Sequence, residues 1–380
     1  MIENCQNLIV GAGISGAVLA RLLAEKGQSI LIIDRRNHFG GNCFDYQDNA
    51  GICVHKYGPH IFRTDDEEIW QFLSRFTTWQ KYYHKVRACI DGKEVPIPFN
   101  FSSIDILFNT QKAKVFKEKL ISNYGGYKKV PILELKKSDD TDLKELADFI
   151  YEKVFYHYTL KQWGFKPEDL GGDALARVPV YTNYYDGYFT EKYQAIPIPS
   201  YTKMFENILN HPNIKIKLNT EFKDIKINYE RLFYSGPIDE FFDYRFGALP
   251  YRSLNFKFET LPQEKFQSVA VVNYTGKEPW TRITEFKHFL GQDTENTTIA
   301  YEYPHAFELG KNERYYPIPK RENEILYKKY LELAQKEKNI YFIGRLGEYK
   351  YYSMQSAIAA IFKFVESCGL NSKKRLNFIK

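Results

Sequence analysis

The stretch LIVGAGISGAVLARLLA, Leu8–Ala24, decides the fold. Leu8, Ile9 and Val10 form a short apolar run of the kind that makes a parallel strand buried on both faces. Gly11-Ala12-Gly13-Ile14-Ser15-Gly16 follows and matches G-x-G-x-x-G. The first glycine permits a tight turn, the second lets backbone approach a pyrophosphate, and the third lets a helix pack close to the strand. A helix from about Ser15 to Lys26 then aims its N-terminal N–H groups at that pyrophosphate, and Gly27 ends it. Ser29-Ile30-Leu31-Ile32-Ile33 reads as a second strand. Asp34 closes it about 20 residues beyond the glycines, where a ribose-binding carboxylate belongs. The stretch is no membrane anchor, because three glycines and Arg21 interrupt it and it falls short of a span.

Working outward, Arg35-Arg36-Asn37-His38-Phe39-Gly40-Gly41-Asn42 is a second glycine turn with basic and amide groups on its flank. A second turn so close to the first suits a longer cofactor that crosses the sheet, which favours FAD over NAD. Near the C-terminus, Asn339 to Arg345 reads as strand then turn, and Tyr352 to Phe364 as a helix whose N-terminus faces the flavin ring. The sequence therefore predicts an α/β fold. Its FAD-binding Rossmann-like domain is discontinuous, at 1–82, 201–235 and 337–380. Residues 100–180 read as an inserted helical bundle. Leu143, Leu146, Ile150 and Val154 give one of its helices an apolar face, and Asp140 or Thr141 caps the start. The bundle ends in a Gly- and Pro-containing loop, about 164–179, which acts as a lid whose Arg177 meets a phosphate. Residues 83–99, 181–200 and 236–336 read as an antiparallel sheet forming the wall of a substrate cleft.

Composition narrows the function. The chain has 380 residues, 30 Tyr and 29 Phe, and many tyrosines suit a large, partly polar pocket. A net charge of +6 fits an anionic small-molecule substrate and is too diffuse for nucleic acid. The five cysteines are scattered, with no metal spacing and no secretory signal before them; we expect no metal and a reduced, cytoplasmic protein. There is neither a second G-x-G-x-x-G for NAD(P)H nor a C-x-x-C pair. That raises a use for the flavin other than carrying electrons, against the alternative of an FAD-dependent, amine-oxidase-like oxidoreductase.

A set of motifs then carries a family resemblance: HKYGPHIFRT (His55 to Thr64), YTLKQWG (Tyr158 to Gly164), RVPV (Arg177 to Val180), DYRFG (Asp243 to Gly247), YRSL (Tyr251 to Leu254), TRITEFKHF (Thr281 to Phe289), YYP (Tyr315 to Pro317) and GRLGEYKYY (Gly344 to Tyr352). Together they resemble bacterial UDP-galactopyranose mutase. The resemblance implies an isomerase that interconverts pyranose and furanose forms of a nucleotide-linked sugar. FAD, active when reduced, would supply N5 as the nucleophile for the anomeric carbon. The implied partners are a nucleotide-sugar substrate, a cellular flavin reductant and a second copy of the chain in a homodimer, with no nucleic acid and no membrane span.

By motif match, Arg177 and Arg282 would clamp the pyrophosphate, with Tyr188, Tyr316 and Tyr351 along the phosphates. Tyr158 and Trp163 would form the nucleotide wall, and Arg245 and Ser353 would also touch substrate. His60 and Arg345 would lie at the flavin. Gly11, Gly13, Ile14, Ser15, Gly16, Asp34, Arg35, Asn42, Tyr351, Tyr352 and Ser353 would complete the cofactor site. Two departures put the sugar in question. Arg63 stands where galactose-specific members usually carry histidine; it implies acceptance of a 2-acetamido sugar such as UDP-N-acetylgalactosamine. Ser353 stands where the family usually has aspartate; a lost acceptor there suits a 6-deoxy sugar such as dTDP-fucopyranose. Leu160 is a smaller departure, where the family often has an acid.

Overall fold

The computed structural model describes residues 4–167 and 179–368. Its first layer is a five-stranded parallel sheet, in the order Ile214–Lys217, Ile30–Ile33, Asn4–Val10, Asn228–Tyr234, Ile340–Phe342. The Leu8-containing strand lies at its centre, and Leu8 and Ile9 are fully buried. This is why the opening run is apolar at successive positions, since neighbours on both faces remove it from water. The helix Ile14–Ala24 starts directly from the glycine turn. Its Val18, Leu19 and Leu23 share one core with Ile358, Ile361 and Val365 of the helix Met354–Ser367. Chain segments more than 300 residues apart thus close one nucleotide-binding layer.

The second layer is a seven-stranded sheet, in the order Tyr316–Pro317, Tyr251–Leu261, Thr297–Ala306, Arg282–Glu285, Val271–Tyr274, Val86–Ile90, Lys93–Ile97. It is antiparallel except at one join, where Val271–Tyr274 runs parallel to Val86–Ile90. Sequence alternation does not encode strand direction, so that join escaped the reading above. Tyr193–Ile198 pairs instead with Phe62–Thr64 and Thr78–Lys81 in a small antiparallel sheet.

Helices occupy most of 101–163. Asp140 caps the helix Thr141–Ile150 by accepting from the N–H groups of Asp142 and Leu143. Leu143, Leu146, Ile150 and Val154 are all buried, as their spacing predicts. The helix then widens to a π-helical turn, Tyr151–Tyr156, before His157–Trp163. Such turns re-aim the residues that follow them, and here the residue two positions on is Tyr158.

Candidate active site

Three glycine turns meet at the carboxyl ends of the parallel strands. A Cβ on Gly16 would lie 1.9 Å from the carbonyl oxygen of Gly11, so only glycine lets this helix start so close to its strand. Gly41, at φ +56°, backs onto Gly13, where a Cβ would come within 2.9 Å of the Gly13 Cα. Gly344 of the third turn lies against the Ser15 side chain. A cradle of bare backbone at a helix N-terminus suits a pyrophosphate.

Asp34 ties the first two turns together: its Oδ2 accepts from Ala12 N–H at 2.8 Å and its Oδ1 from Arg36 N–H at 2.9 Å. The carboxylate expected to hold a ribose thus already braces the loop. Both neighbouring arginines pair with Glu313, Arg35 at 2.6 Å and Arg36 at 3.2 Å, and Arg35 is the more exposed. Arg36 faces inward, donating to Asn42 Oδ1 at 3.1 Å with its guanidinium 4.4 Å from the Tyr57 ring centre. The sequence points to Arg35 alone, because a doublet of arginines does not show that Arg36 faces inward beside Tyr57.

The second cluster forms where the helix His157–Trp163 crosses the seven-stranded sheet. Lys161 pins that helix by donating to the carbonyls of Tyr274, Glu278 and Trp280. Arg252 holds its C-terminus, donating to the carbonyls of Gln162 at 2.8 Å and Lys161 at 3.0 Å. Arg282 Nη2 donates to Tyr158 Oη at 2.6 Å, and its Nε lies 3.2 Å from Glu302. Burial works against the Arg282 charge, yet Glu302, Tyr158, Tyr316 and Tyr188 act together to raise its pKa, so it stays a cation. Burial, reinforced by Glu302, also holds the Tyr158 and Tyr316 hydroxyls above the usual phenol range. They are neutral donors at neutral pH. Trp163, Tyr316 and Tyr351 form an aromatic group, with ring centres 5.2–6.3 Å apart.

Arg345 links the two clusters. Its guanidinium lies 5.6 Å from the Tyr316 ring and 5.3 Å from the Tyr351 ring, and it donates to the carbonyls of Tyr315 and Tyr352. Its charge reaches Cys43 of the second glycine turn and His60. Burial, with the neighbouring His55, pushes the His60 imidazole down to about 4, against the bond it makes to the Gly58 carbonyl. A neutral His60 must donate from Nδ1 to that carbonyl, which leaves Nε2 as an acceptor. His84, which the sequence did not single out, packs its ring 5.7 Å from that of Tyr188, and burial beside Arg282 pushes it down to about 3.

The other expected site residues have varied surroundings. Arg245 is exposed on a turn that has φ +51° at Asp243 and +55° at Tyr244. The buried arginine of this region is Arg252, seven residues on, whose guanidinium has no carboxylate partner among the described residues. Arg63 is ion-paired to Glu191 and stacked on Phe189 at 4.2 Å. Ser353 is the N-cap of Met354–Ser367, accepting from Ser356 N–H, so that helix begins after Tyr352 rather than at it. The Tyr352 hydroxyl donates to Glu348 at 2.9 Å. Arg177 and most of the expected lid lie outside the described residues. Asp45, Cys53 and His55 come within 4.8 Å of one another. Yet Asp45 already accepts from Tyr201 and Thr202 N–H and His55 Nδ1 from His60 N–H, so their ligand atoms are engaged within the protein.

A Rossmann-like layer with a glycine cradle, joined through Arg345 to an arginine–tyrosine cluster, defines a protein of the dinucleotide-binding fold class. A profile of NAD(P)-binding Rossmann-like domains matches residues 9–76, and one of UDP-galactopyranose mutase matches 153–351. The chain is 41% identical to a probable UDP-galactopyranose mutase of Klebsiella pneumoniae, over 95% of this chain and 94% of that one. It is 36% identical to a dTDP-fucopyranose mutase of Escherichia coli, over 97% and 99%. A crystal structure of reduced UDP-galactopyranose mutase superposes with a TM-score of 0.75 at 15% identity, covering 97% of this chain and 96% of the other. The chain belongs to the UDP-galactopyranose mutase family, a family of isomerases. Among the described residues no helix is long and apolar enough to cross a membrane.

Proposed function

We propose that this chain is an FAD-dependent mutase that interconverts the pyranose and furanose forms of a nucleoside-diphospho-hexose, with UDP-galactopyranose its first candidate substrate. The observation that carries the reading is the Arg282 cluster: a half-buried cation and the hydroxyls of Tyr158, Tyr188 and Tyr316 near a dinucleotide cradle. The cradle fits FAD, because Gly13, Gly16 and Gly41 leave backbone bare for a pyrophosphate and Arg36, Asn42 and Tyr57 flank it. Reduced FAD would supply a nucleophile for the anomeric carbon there.

The chain's own part is electrostatic. As the sugar–diphosphate bond breaks, negative charge grows on the leaving oxygens, and Arg282 with the tyrosine hydroxyls meets it without having to reorganise. Arg177 is its expected companion. Trp163 offers a flat face to the nucleotide. Neutral His60 presents an acceptor rather than a second cation at the cofactor face. A reductant from the cell, a homodimeric assembly and a cytoplasmic setting belong to the same reading.

The choice of sugar rests on Arg63. Its guanidinium is ion-paired to Glu191 and so is less free to reach a sugar substituent, which favours galactose over the 2-acetamido alternative that the resemblance implies. Ser353 caps a helix, as aspartate also does, so a lost sugar contact is not needed to explain it, and dTDP-fucopyranose stands second. Rates with UDP-galactopyranose, UDP-N-acetylgalactosamine and dTDP-fucopyranose, compared between wild type and Arg63→His, test this. Equal preference in both proteins removes Arg63 from specificity.

A further inference from the structure

Glu302 stands directly behind the proposed diphosphate clamp. It pairs in register with Arg282 across antiparallel strands, and its carboxylate is buried, with the side chain 4% exposed. Its position is fixed from the same pair of strands: Thr281 Oγ1 donates to Glu302 Oε1 at 3.1 Å, and Thr281 N–H to the Glu302 carbonyl at 2.9 Å. Its other oxygen faces the loop of Gly58, where a Cβ would lie 3.8 Å from Oε2, and the Gly58 carbonyl in turn bonds the His60 ring. The Arg282 Nε to Glu302 contact is an ion pair without an aligned hydrogen bond. Nη2 donates to Tyr158.

A neutral acceptor would orient the guanidinium as well, without the desolvation cost of a buried carboxylate. The charge therefore has a consequence of its own: it repels any anion that Arg282 attracts. We propose that Glu302 is a positioning residue that both aims Arg282 and keeps the site from holding a free nucleoside diphosphate too tightly. The proposal rests on the mutase reading. In that reaction the diphosphate leaves carrying more charge than it has in the intact sugar nucleotide, and must then return to the sugar. A clamp that bound the free diphosphate too firmly would stabilise the separated state more than the transition states on either side of it.

The test compares flavin-loaded wild type with Glu302→Gln, which keeps the acceptor and removes the charge. Calorimetry measures UDP affinity, and kcat and KM are measured with the sugar nucleotide. Glu302→Gln is expected to bind UDP about tenfold more tightly, the order for one unit charge acting across a partly buried site, with kcat and KM both lowered. A site that is merely damaged binds more weakly, so equal or weaker UDP binding by a folded, flavin-loaded Glu302→Gln overturns the proposal. Should that variant not fold, Glu302→Asp keeps the charge but draws it back from Arg282, and a smaller gain in UDP affinity is expected; equal or weaker binding again overturns it. No UDP binding by wild type would instead sink the nucleotide-sugar reading, and this inference with it.

Discussion

Arg282→Ala should separate what this arginine does for the fold from what it does for the reaction. Its side chain is 26% exposed, while that of Glu302, 3.2 Å away, is 4% exposed. Removing the cation leaves a buried carboxylate whose remaining hydrogen bond comes from the Thr281 hydroxyl. Breaking a buried pair in this way costs about 3–5 kcal/mol, and the partial exposure of the arginine places this one near about 3 kcal/mol. In a chain of this size that lowers the melting temperature by on the order of 5 °C. The catalytic loss is separate: removing one preorganised donor from a developing oxyanion costs about 10²–10³-fold in kcat. The double variant Arg282→Ala/Glu302→Gln removes the stranded charge and should recover most of the melting temperature and none of the activity. The assay pairs thermal melting and flavin absorbance with turnover. If Arg282→Ala kept its rate within a few-fold of wild type, or the double variant recovered activity along with stability, Arg282 would have no place in the diphosphate clamp.

Other expectations follow from the same geometry. Gly16→Ala drives a methyl group into the Gly11 carbonyl and should yield protein without bound flavin; a normal flavin content measured after gel filtration would refute the cradle. Arg252→Ala should lower kcat/KM at least tenfold through loss of the hold on Lys161 and Gln162, whereas exposed Arg245→Ala should change it less than twofold; the reverse order would reinstate Arg245. Buried His60, His55 and His84 sit at about 4, 3 and 3, below the roughly 6.5 of an unfolded histidine. The folded state therefore binds fewer protons than the unfolded one between these values. The stability they contribute is complete above about pH 6.5 and falls as pH drops toward 4. Asp45 and Asp239, pushed up by burial, oppose this in part. Melting temperature should drop between pH 7 and 5, and less steeply in His84→Gln; identical slopes would show that His84 is not buried in neutral form.

What the sequence made legible was local. The strand, glycine turn and helix around Gly11–Gly16 lie within about twenty residues, and each element states its own geometry. The Asp140 cap and the apolar face from Leu143 to Val154 are likewise short-range patterns. Arg282, Tyr158, Trp163 and Tyr316 were legible by motif, and the fold brings them together. What escaped needed long-range information. Glu302 is one acid in a β-rich stretch until the register sets it opposite Arg282. Arg245 and Arg252 look alike in sequence, and only the turn at Asp243–Gly247 exposes one while the strand Tyr251–Leu261 buries the other. Ser353 read as a lost sugar contact because the family usually has aspartate there; that it caps a helix starting at Met354, two residues later than expected, shows only in the fold. The parallel join at Val271–Tyr274 depends on where a distant hairpin docks, and no local pattern records that.

The central claim is tested most directly by incubating the purified protein with UDP-galactopyranose, with the flavin oxidised or reduced by dithionite, and separating pyranose from furanose products. The account predicts furanose from the reduced enzyme alone, with no net change in the flavin's redox state. Absence of furanose from every sugar nucleotide, together with bleaching of the oxidised flavin by some other substrate, would contradict it and make this chain an oxidoreductase.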